Sequence, residues 1–289
     1  MSFSFLRSAT SAFVVLLIAA ASIVGTSGAA QAARQAAIVI DARNGQTLYA
    51  DNADTLCYPA SLTKMMTLYL TFEGLQKGRF TKSSRIPVSR KAAAQAPSKL
   101  GLKPGQTITV EMAILALVTK SANDVAMALG EFIGGSEAEF ARIMTKKARG
   151  LGMSRTTFRN PSGLPNPEQV TTARDMARLG LALREHFPKY YGYFATRSFT
   201  FGKRRMANHN RLLGRVTGVD GIKTGYTRAS GFNLVTSAGS GKKRIVAVVL
   251  GGKTGRERDA RMAGLVNKYL PKSSGKGSGA LIAMTAPEP

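Results

Sequence analysis

The sequence predicts an α+β fold: an antiparallel sheet built from N- and C-terminal strands, flanked by helices, with a helical subdomain inserted between them. Three observations carry this expectation. Two strand-like runs joined by Asn44-Gly45 open the folded part, helical periodicity fills the middle, and short β-type segments return after Thr196.

In order, Ala37–Ile40 and Gln46–Ala50 are apolar runs around Asn44-Gly45, the strongest short hairpin signal. The stretch after Ser61 (LTKMMTLYLTFEGLQ) repeats apolar residues at helical spacing behind Pro59, which predicts a buried helix starting at or near Ser61. From Thr109 to Leu151 the chain reads as consecutive helices, with Thr109 and Ser136 as N-caps followed by acidic residues. Residues 154–170 hold Pro161, Gly163, Pro165 and Pro167 and predict a loop; Thr172–Glu185 is helical again. Strands are expected around Thr196–Phe201, Val219–Thr224, Phe232–Ser237 and Arg244–Leu250, and Arg256–Leu270 closes as a helix. Residues 271–289 open with the Gly/Ser/Lys run Lys272–Gly279 and are expected as a flexible tail.

Residues 1–32 stand apart from this pattern. Arg7, the 12-residue apolar run Phe13–Val24 and the small residues ending in Ala30-Gln31-Ala32 have the three parts of a secretory signal peptide. The run is shorter than the roughly 20 residues a spanning helix needs. Cleavage after Ala32 or Ala33 is expected, and with it a folded domain over 33–270 that works outside the cytoplasm, in the periplasm or cell envelope. The formal charge of +25 includes only Arg7 from that segment, leaving 25 − 1 = +24. Such a charge suits electrostatic contact with an anionic envelope. No zinc-finger spacing, aromatic RNA-binding motif or basic heptad array is present, so nucleic acid is not an expected partner. Cys57 is the one cysteine, so no internal disulfide can form. With one cysteine and two histidines, His186 and His209, neither a metal site nor a Ser-His-Asp triad is expected, and no cofactor is implied.

Three short motifs follow in order: Ser61-Leu62-Thr63-Lys64, Ser121-Ala122-Asn123 and Lys223-Thr224-Gly225. Each is weak alone. Ser-x-x-Lys recurs at Ser240 and Ser273, and Lys-Thr-Gly at Lys253, all in Gly/Lys-rich segments that read as solvated turns. Ser121 with Asp124 three residues on resembles a capping box. Ser61 and Lys64 differ: three apart at a helix start, they share one face. A hydroxyl needs a neighbouring base to become a nucleophile. A lysine kept from water beside other cations can lose its proton and serve. Lys223 and Thr224 on a strand could meet a substrate carboxylate, with Gly225 allowing close backbone approach.

The three motifs together match the set of penicillin-binding proteins and class A β-lactamases. Pro59-Ala60-Ser61-Leu62-Thr63-Lys64-Met65-Met66-Thr67 and Val219-Asp220-Gly221-Ile222-Lys223-Thr224-Gly225 resemble the active-site stretches of the low-molecular-mass penicillin-binding proteins, the serine D-alanyl-D-alanine carboxypeptidases. Asn160-Pro161-x-Gly163-Leu164 and Thr172-Ala173-Arg174-Asp175-Met176 resemble further stretches of that family, and the likeness covers about residues 37–270. The resemblance implies a β-lactamase/transpeptidase-like fold and removal of the terminal D-Ala from peptidoglycan stem peptides, with β-lactam antibiotics as covalent inhibitors. It implies Ser61 as nucleophile, Lys64 as its base and Ser121 as proton relay towards the leaving amine, with Lys223 beside it. Asn123 would orient Lys64 and hold substrate. Thr224 and Arg258 would bind the terminal carboxylate, and the backbone N–H groups of Ser61 and Tyr226 would form the oxyanion hole. Many relatives carry histidine where Tyr226 stands. Many also carry a second β-rich domain and a C-terminal amphipathic anchor; with about 19 residues after Leu270, neither is expected here. A D,D-endopeptidase acting on cross-links shares the chemistry. A β-lactamase would need a loop glutamate; Glu168 lies in such a loop but lacks the Glu-x-x-Leu-Asn pattern and reads as a solvated acid. A non-enzymatic wall-binding protein would not need three intact motifs.

Overall fold

In the computed structural model, which describes residues 34–283, β1 (Ala36–Asp41) and β2 (Thr47–Asp51) form the hairpin predicted at Asn44-Gly45. The Asn44 side chain accepts from Gln46 N–H at 3.0 Å, and Gly45 N–H donates to the Asp41 carbonyl at 2.9 Å. β7 (Val219–Thr227), β8 (Gly231–Ser240) and β9 (Lys243–Gly252) complete an antiparallel sheet of order β2-β1-β9-β8-β7. The N-terminal hairpin therefore joins the C-terminal strands, as expected. The proposed signal peptide lies outside the described residues.

Between β2 and β7 runs the helical insertion. A tight 3-10 turn, Ala60–Thr63, leads into α1 (Lys64–Gln76). β3 (Arg85–Pro87), α2 (Arg90–Ala93) and β4 (Thr107–Thr109) follow, then α3 (Val110–Val118), α4 (Asn123–Gly134) and α5 (Glu137–Gly150). α6 (Ala173–His186), α7 (Pro188–Tyr191) and the hairpin β5 (Ser198–Phe201) and β6 (Arg204–Ala207) lead back to the sheet. α8 (Gly255–Tyr269) closes the fold. The helix starts follow side-chain chemistry: Thr109, Ser136, Thr172 and Thr254 each accept the N–H three residues on.

Both faces of the sheet are covered, which is why its central strands are apolar throughout. In β1, Ala36, Ile38 and Ile40 join the larger core with α1, α3, α4 and α6, while Ala37 and Val39 face the smaller core under α8. In β9, Val246, Val248 and Leu250 take the first side and Ile245, Ala247 and Val249 the second. Each of these side chains is essentially fully buried, contributing about 1.5–3 kcal/mol apiece for the larger ones. The chain after α8, read from composition as a flexible tail, makes these contacts: Ser278 N–H donates to the Arg43 carbonyl, and Leu281 and Ile282 N–H donate to the Glu185 carboxylate. His186 bridges the Tyr69 hydroxyl (2.8 Å) and the Ile282 carbonyl (2.9 Å), a structural role. Among the described residues, no helix is long and apolar enough to cross a membrane.

Candidate active site

Ser61 sits in the turn before α1, at the floor of a cavity of about 780 Å³ also lined by Ser121, Asn123, Thr224, Tyr226 and Arg258. The fold thus gathers residues from five places in the chain: the Ser61 turn, the α3–α4 junction, the 160–164 loop, β7 and α8. The turn is held on two sides without room for adjustment. Gly225 of β7 lies against it, so that a Cβ there would come within 3.2 Å of Ser61 N. Gly163 lies on the other side with φ +86°, where a Cβ would fall 1.8 Å from the Ala60 carbonyl oxygen. Only glycine fits both that conformation and that approach. The neighbour that Gly225 accommodates is therefore the nucleophile's own backbone.

Lys64, one turn beyond Ser61 and fully buried, places Nζ 3.0 Å from Ser61 Oγ, 2.7 Å from Asn123 Oδ1 and 2.5 Å from the Ser162 carbonyl oxygen. Two of these neighbours can only accept. A neutral amine has two N–H groups and one lone pair. With the N–H groups directed to Asn123 and Ser162, the lone pair is left facing the Ser61 hydroxyl. Burial, with the Lys223 charge adding and Asp124 opposing, holds the Lys64 pKa well below its ordinary value. Burial thus favours the deprotonated amine, the form that can take a hydroxyl proton.

Each partner of Lys64 is itself fixed. Asn123 donates Nδ2–H to the Ala96 carbonyl and its backbone N–H to the Ser98 carbonyl. The Ser162 carbonyl is aimed by Asn160, whose Oδ1 accepts from the Ser162 and Gly163 N–H groups while Nδ2 donates to Leu164. Asn160 and Gly163 appear in the sequence motif, but its work of presenting the Ser162 carbonyl to Lys64 is visible only in three dimensions.

Ser121 does not cap α4. The cap is Ala122, and Ser121 instead adopts φ +59°, a conformation uncommon outside glycine. Asp124, its partner in the apparent capping box, accepts the N–H groups of Leu100, Gly101 and Leu102 and clamps that loop. The Ser121 Oγ is buried with no hydrogen-bond partner and lines the cavity. A buried hydroxyl at the cavity wall with no protein partner is free to engage a group bound there.

On β7, Lys223 is 1% exposed, and burial, then the Arg258 charge, pushes its pKa down to about 7. Thr224 is also buried and lines the cavity; Tyr226 is 54% exposed at the rim, stacked on Phe232 with ring centroids 4.2 Å apart. Arg258 on α8 lines the far wall, bound to Asp259 at 2.7 Å and to the Asn233 carbonyl at 3.2 Å. All nine residues singled out in the sequence thus fall in or against one site.

Two contributors were missed. Asn233 on β8, fully buried, donates to the Tyr58 and Pro59 carbonyls and accepts Gly251 N–H, tying the sheet to the turn before Ser61. His209 lines the cavity, and burial followed by the charges of Lys223, Lys120, Lys64 and Arg258 pushes its pKa down to about 4. The decoy motifs lie elsewhere. Ser240 is the exposed last residue of β8, and Thr254 of the second Lys-Thr-Gly is the N-cap of α8. Ser273, expected as solvated, is buried and donates to the Leu270 carbonyl. Glu168 is exposed and paired with Arg159, outside the cavity wall. Cys57 is half-buried, and burial raises its thiol pKa to about 11.

Comparison with known proteins points to one family. The D-alanyl-D-alanine carboxypeptidase family pattern matches residues 23–254. The chain is 38% identical over 237 residues to the D-alanyl-D-alanine carboxypeptidase DacF of Bacillus subtilis, covering 81% of this chain and 61% of that one. It is 40% identical over 228 residues to DacC of Escherichia coli, covering 76% and 57%. The chain therefore spans about three fifths of the length of these curated relatives. Among solved structures, penicillin-binding protein D2 of Listeria monocytogenes in its cefotaxime-bound form superposes with TM-score 0.72 at 32% identity, covering 81% of this chain and 96% of that one. The fold is the β-lactamase/transpeptidase-like one that the motifs implied, and the chain belongs to the D-alanyl-D-alanine carboxypeptidase family.

Proposed function

We propose that this protein is an exported serine D-alanyl-D-alanine carboxypeptidase that removes the terminal D-Ala of peptidoglycan stem peptides. The observation that carries the reading is the placement of Lys64: fully buried, anchored by Asn123 and the Ser162 carbonyl, with Nζ 3.0 Å from Ser61 Oγ.

The chemistry runs in two halves. Lys64 takes the Ser61 proton as Oγ attacks the carbonyl between the two D-alanines. The oxyanion is met by the backbone N–H groups of Ser61 and Tyr226, at the point where β7 abuts the nucleophile turn. Lys64 returns its proton through the Ser121 hydroxyl to the leaving amine, beside Lys223, and D-Ala departs from a Ser61 ester. Water then attacks that ester by the same route in reverse, giving the shortened peptide and free Ser61. Thr224, with Arg258 on the opposite wall, receives the terminal carboxylate. A β-lactam presents a strained amide to the same serine and is held as a stable ester. Exposed Glu168 is not in place to activate a water for rapid release of that ester.

The test is a pentapeptide ending in D-Ala-D-Ala, with a D-Ala-L-Ala control and a cross-linked dimer run in parallel. Release of one D-Ala from the first substrate is expected, falling by roughly 10³-fold or more in Ser61→Ala. Turnover of the dimer alone would make the enzyme an endopeptidase, and turnover retained in Ser61→Ala would remove the serine mechanism.

A further inference from the structure

One end of the sheet carries a cluster of cations that the catalytic site does not use. Arg43 in the β1–β2 turn, Lys242 in the β8–β9 turn, Lys268 at the end of α8, and Lys272 and Lys276 beyond it are all exposed. Contacts draw these segments together. Lys243 donates to the Pro271 carbonyl, Ser278 N–H donates to the Arg43 carbonyl at 3.0 Å, and a Cβ placed on Gly275 would lie 3.6 Å from the Lys242 Cβ. The carboxylates at this end are already satisfied. Asp41 is fully buried and accepts the N–H groups of Arg43 and Ser274. Asp220 is held by Arg184 and Arg244.

Among these cations lie two half-buried aromatic rings. Tyr269 stacks on Tyr49 of β2 at 5.5 Å, and the ammonium groups of Lys268 and Lys272 sit 5.5 and 5.7 Å from the Tyr269 ring centre. Tyrosine beside long-stemmed lysine is the composition of a membrane–water interface. None of these residues lines the catalytic cavity; they stand on exposed turns and at the outer end of α8, a surface suited to a plane of charge.

Its placement relative to the catalytic cleft is fixed by two rulers. Along β7, Thr224 is five residues from Val219, the row that pairs through Ala238 and Ile245 to Asp41; at about 3.4 Å per residue that is about 17 Å. Along α8, Arg256 lines the cleft while Lys268 belongs to the basic cluster, and twelve residues at about 1.5 Å each give about 18 Å. The cleft and the cluster occupy opposite ends of the same strand and the same helix.

We propose that the cluster of Arg43, Lys242, Lys243, Lys268, Lys272 and Lys276, with Tyr49 and Tyr269 among them, docks the protein on an anionic bilayer surface and turns the catalytic cleft away from it. The orientation gains its meaning from the envelope activity proposed above, since the cleft then faces the wall polymer; the docking itself does not depend on that activity.

The compact unit 32–289, which holds both hydrophobic cores, is the protein to test, because it omits the apolar N-terminal run. Co-sedimentation with phosphatidylcholine vesicles containing about 30 mol% phosphatidylglycerol is expected to give at least about tenfold tighter binding than with phosphatidylcholine alone. The quadruple variant Lys242→Gln, Lys268→Gln, Lys272→Gln, Lys276→Gln should lose about tenfold or more on the anionic vesicles. A matched variant elsewhere on the surface, Arg79→Gln, Lys103→Gln, Lys189→Gln, Lys203→Gln, should lose less than about threefold. Equal losses in the two variants would reduce the effect to net charge and overturn the proposal. Equal binding to neutral and anionic vesicles would do the same. Binding of soluble polyglutamate as tight as that of vesicles, lost to the same extent in the first variant, would reassign the cluster to a polymer. Turnover of the soluble D-Ala-D-Ala peptide, measured in the same samples, should be unchanged in both variants. If wild type shows no turnover at all, the proposed activity fails while the vesicle result still decides the docking.

Discussion

At Lys223 and Lys253 the same three letters, Lys-Thr-Gly, meet two different environments. Lys223 is buried on β7 against the cavity, whereas Lys253 is exposed and its Thr254 caps a helix. Removing one partner of a desolvated, hydrogen-bonded polar contact costs roughly 2–5 kcal/mol, while an exposed lysine contributes less than about 1 kcal/mol. Lys223→Ala should therefore lower kcat/KM on a D-Ala-D-Ala peptide by about 30-fold or more, and Lys253→Ala should stay within a few-fold of wild type. If Lys253→Ala is the crippled enzyme, the third motif has been placed on the wrong strand. The sequence separated them by reading a strand before Lys223 and a Gly-Gly turn before Lys253; the structure places Gly251 and Gly252 at the end of β9, with Lys253 exposed just beyond it. The backbone of Ser121 was not available. Nothing in Ser-Ala-Asn announces φ +59° or that Asp124 turns away to clamp residues 100–102. Asn233 was equally silent, since a single asparagine in an apolar strand changes no periodicity, and its partners Tyr58 and Pro59 lie about 175 residues away.

Among the elements, the loop 160–164 does the most with the fewest residues. It wraps the Asn160 amide, points the Ser162 carbonyl at Lys64 and presses Gly163 against the nucleophile turn. Gly163→Ala introduces a methyl group at φ +86° into space occupied by the Ala60 carbonyl. The left-handed backbone alone costs about 1–2 kcal/mol, and the clash has to be relieved by moving Ser61. A displacement of about 1 Å at a reacting group is worth roughly 10²-fold in rate. Acylation of Ser61 by a β-lactam in this variant should fall by about that factor while circular dichroism still reports a folded protein. An unchanged acylation rate would mean that the loop does not position the turn. The regular elements around it were legible because each obeys a local rule: Asn44-Gly45 for the first hairpin, Thr109 and Ser136 for helix starts, continuous apolar runs for β1 and β9. The strand Arg204–Ala207 was not, because two successive arginines hide the alternation, and its pairing with Ser198–Phe201 supplies the strand character.

For the molecule as a whole, burying two lysines in one cleft carries a cost in stability. The Lys223 pKa of about 7 lies below the ordinary 10.5, so between those values the unfolded chain binds more protons than the folded one. Stability then rises with pH across that window and is lost as pH falls towards 7, by a few kcal/mol at about 1.4 kcal/mol per pH unit. In Lys223→Met the rise should flatten, and the unfolding midpoint at pH 7 should equal or exceed that of wild type, since an apolar side chain replaces a buried charge. Urea midpoints at pH 7, 8.5 and 10 for both proteins check this; identical slopes would show that Lys223 is not the titrating group. Fold, cleft and charge arrangement all converge on one serine, so the most direct measurement is the mass of the whole protein after exposure to penicillin, followed by fragmentation of the tryptic peptide 44–64. That peptide holds both Ser61 and Cys57. A gain of one antibiotic mass is expected, localised to Ser61 and absent in Ser61→Ala. A protein that stays unmodified, or an adduct that maps to Cys57 or persists in Ser61→Ala, would contradict it.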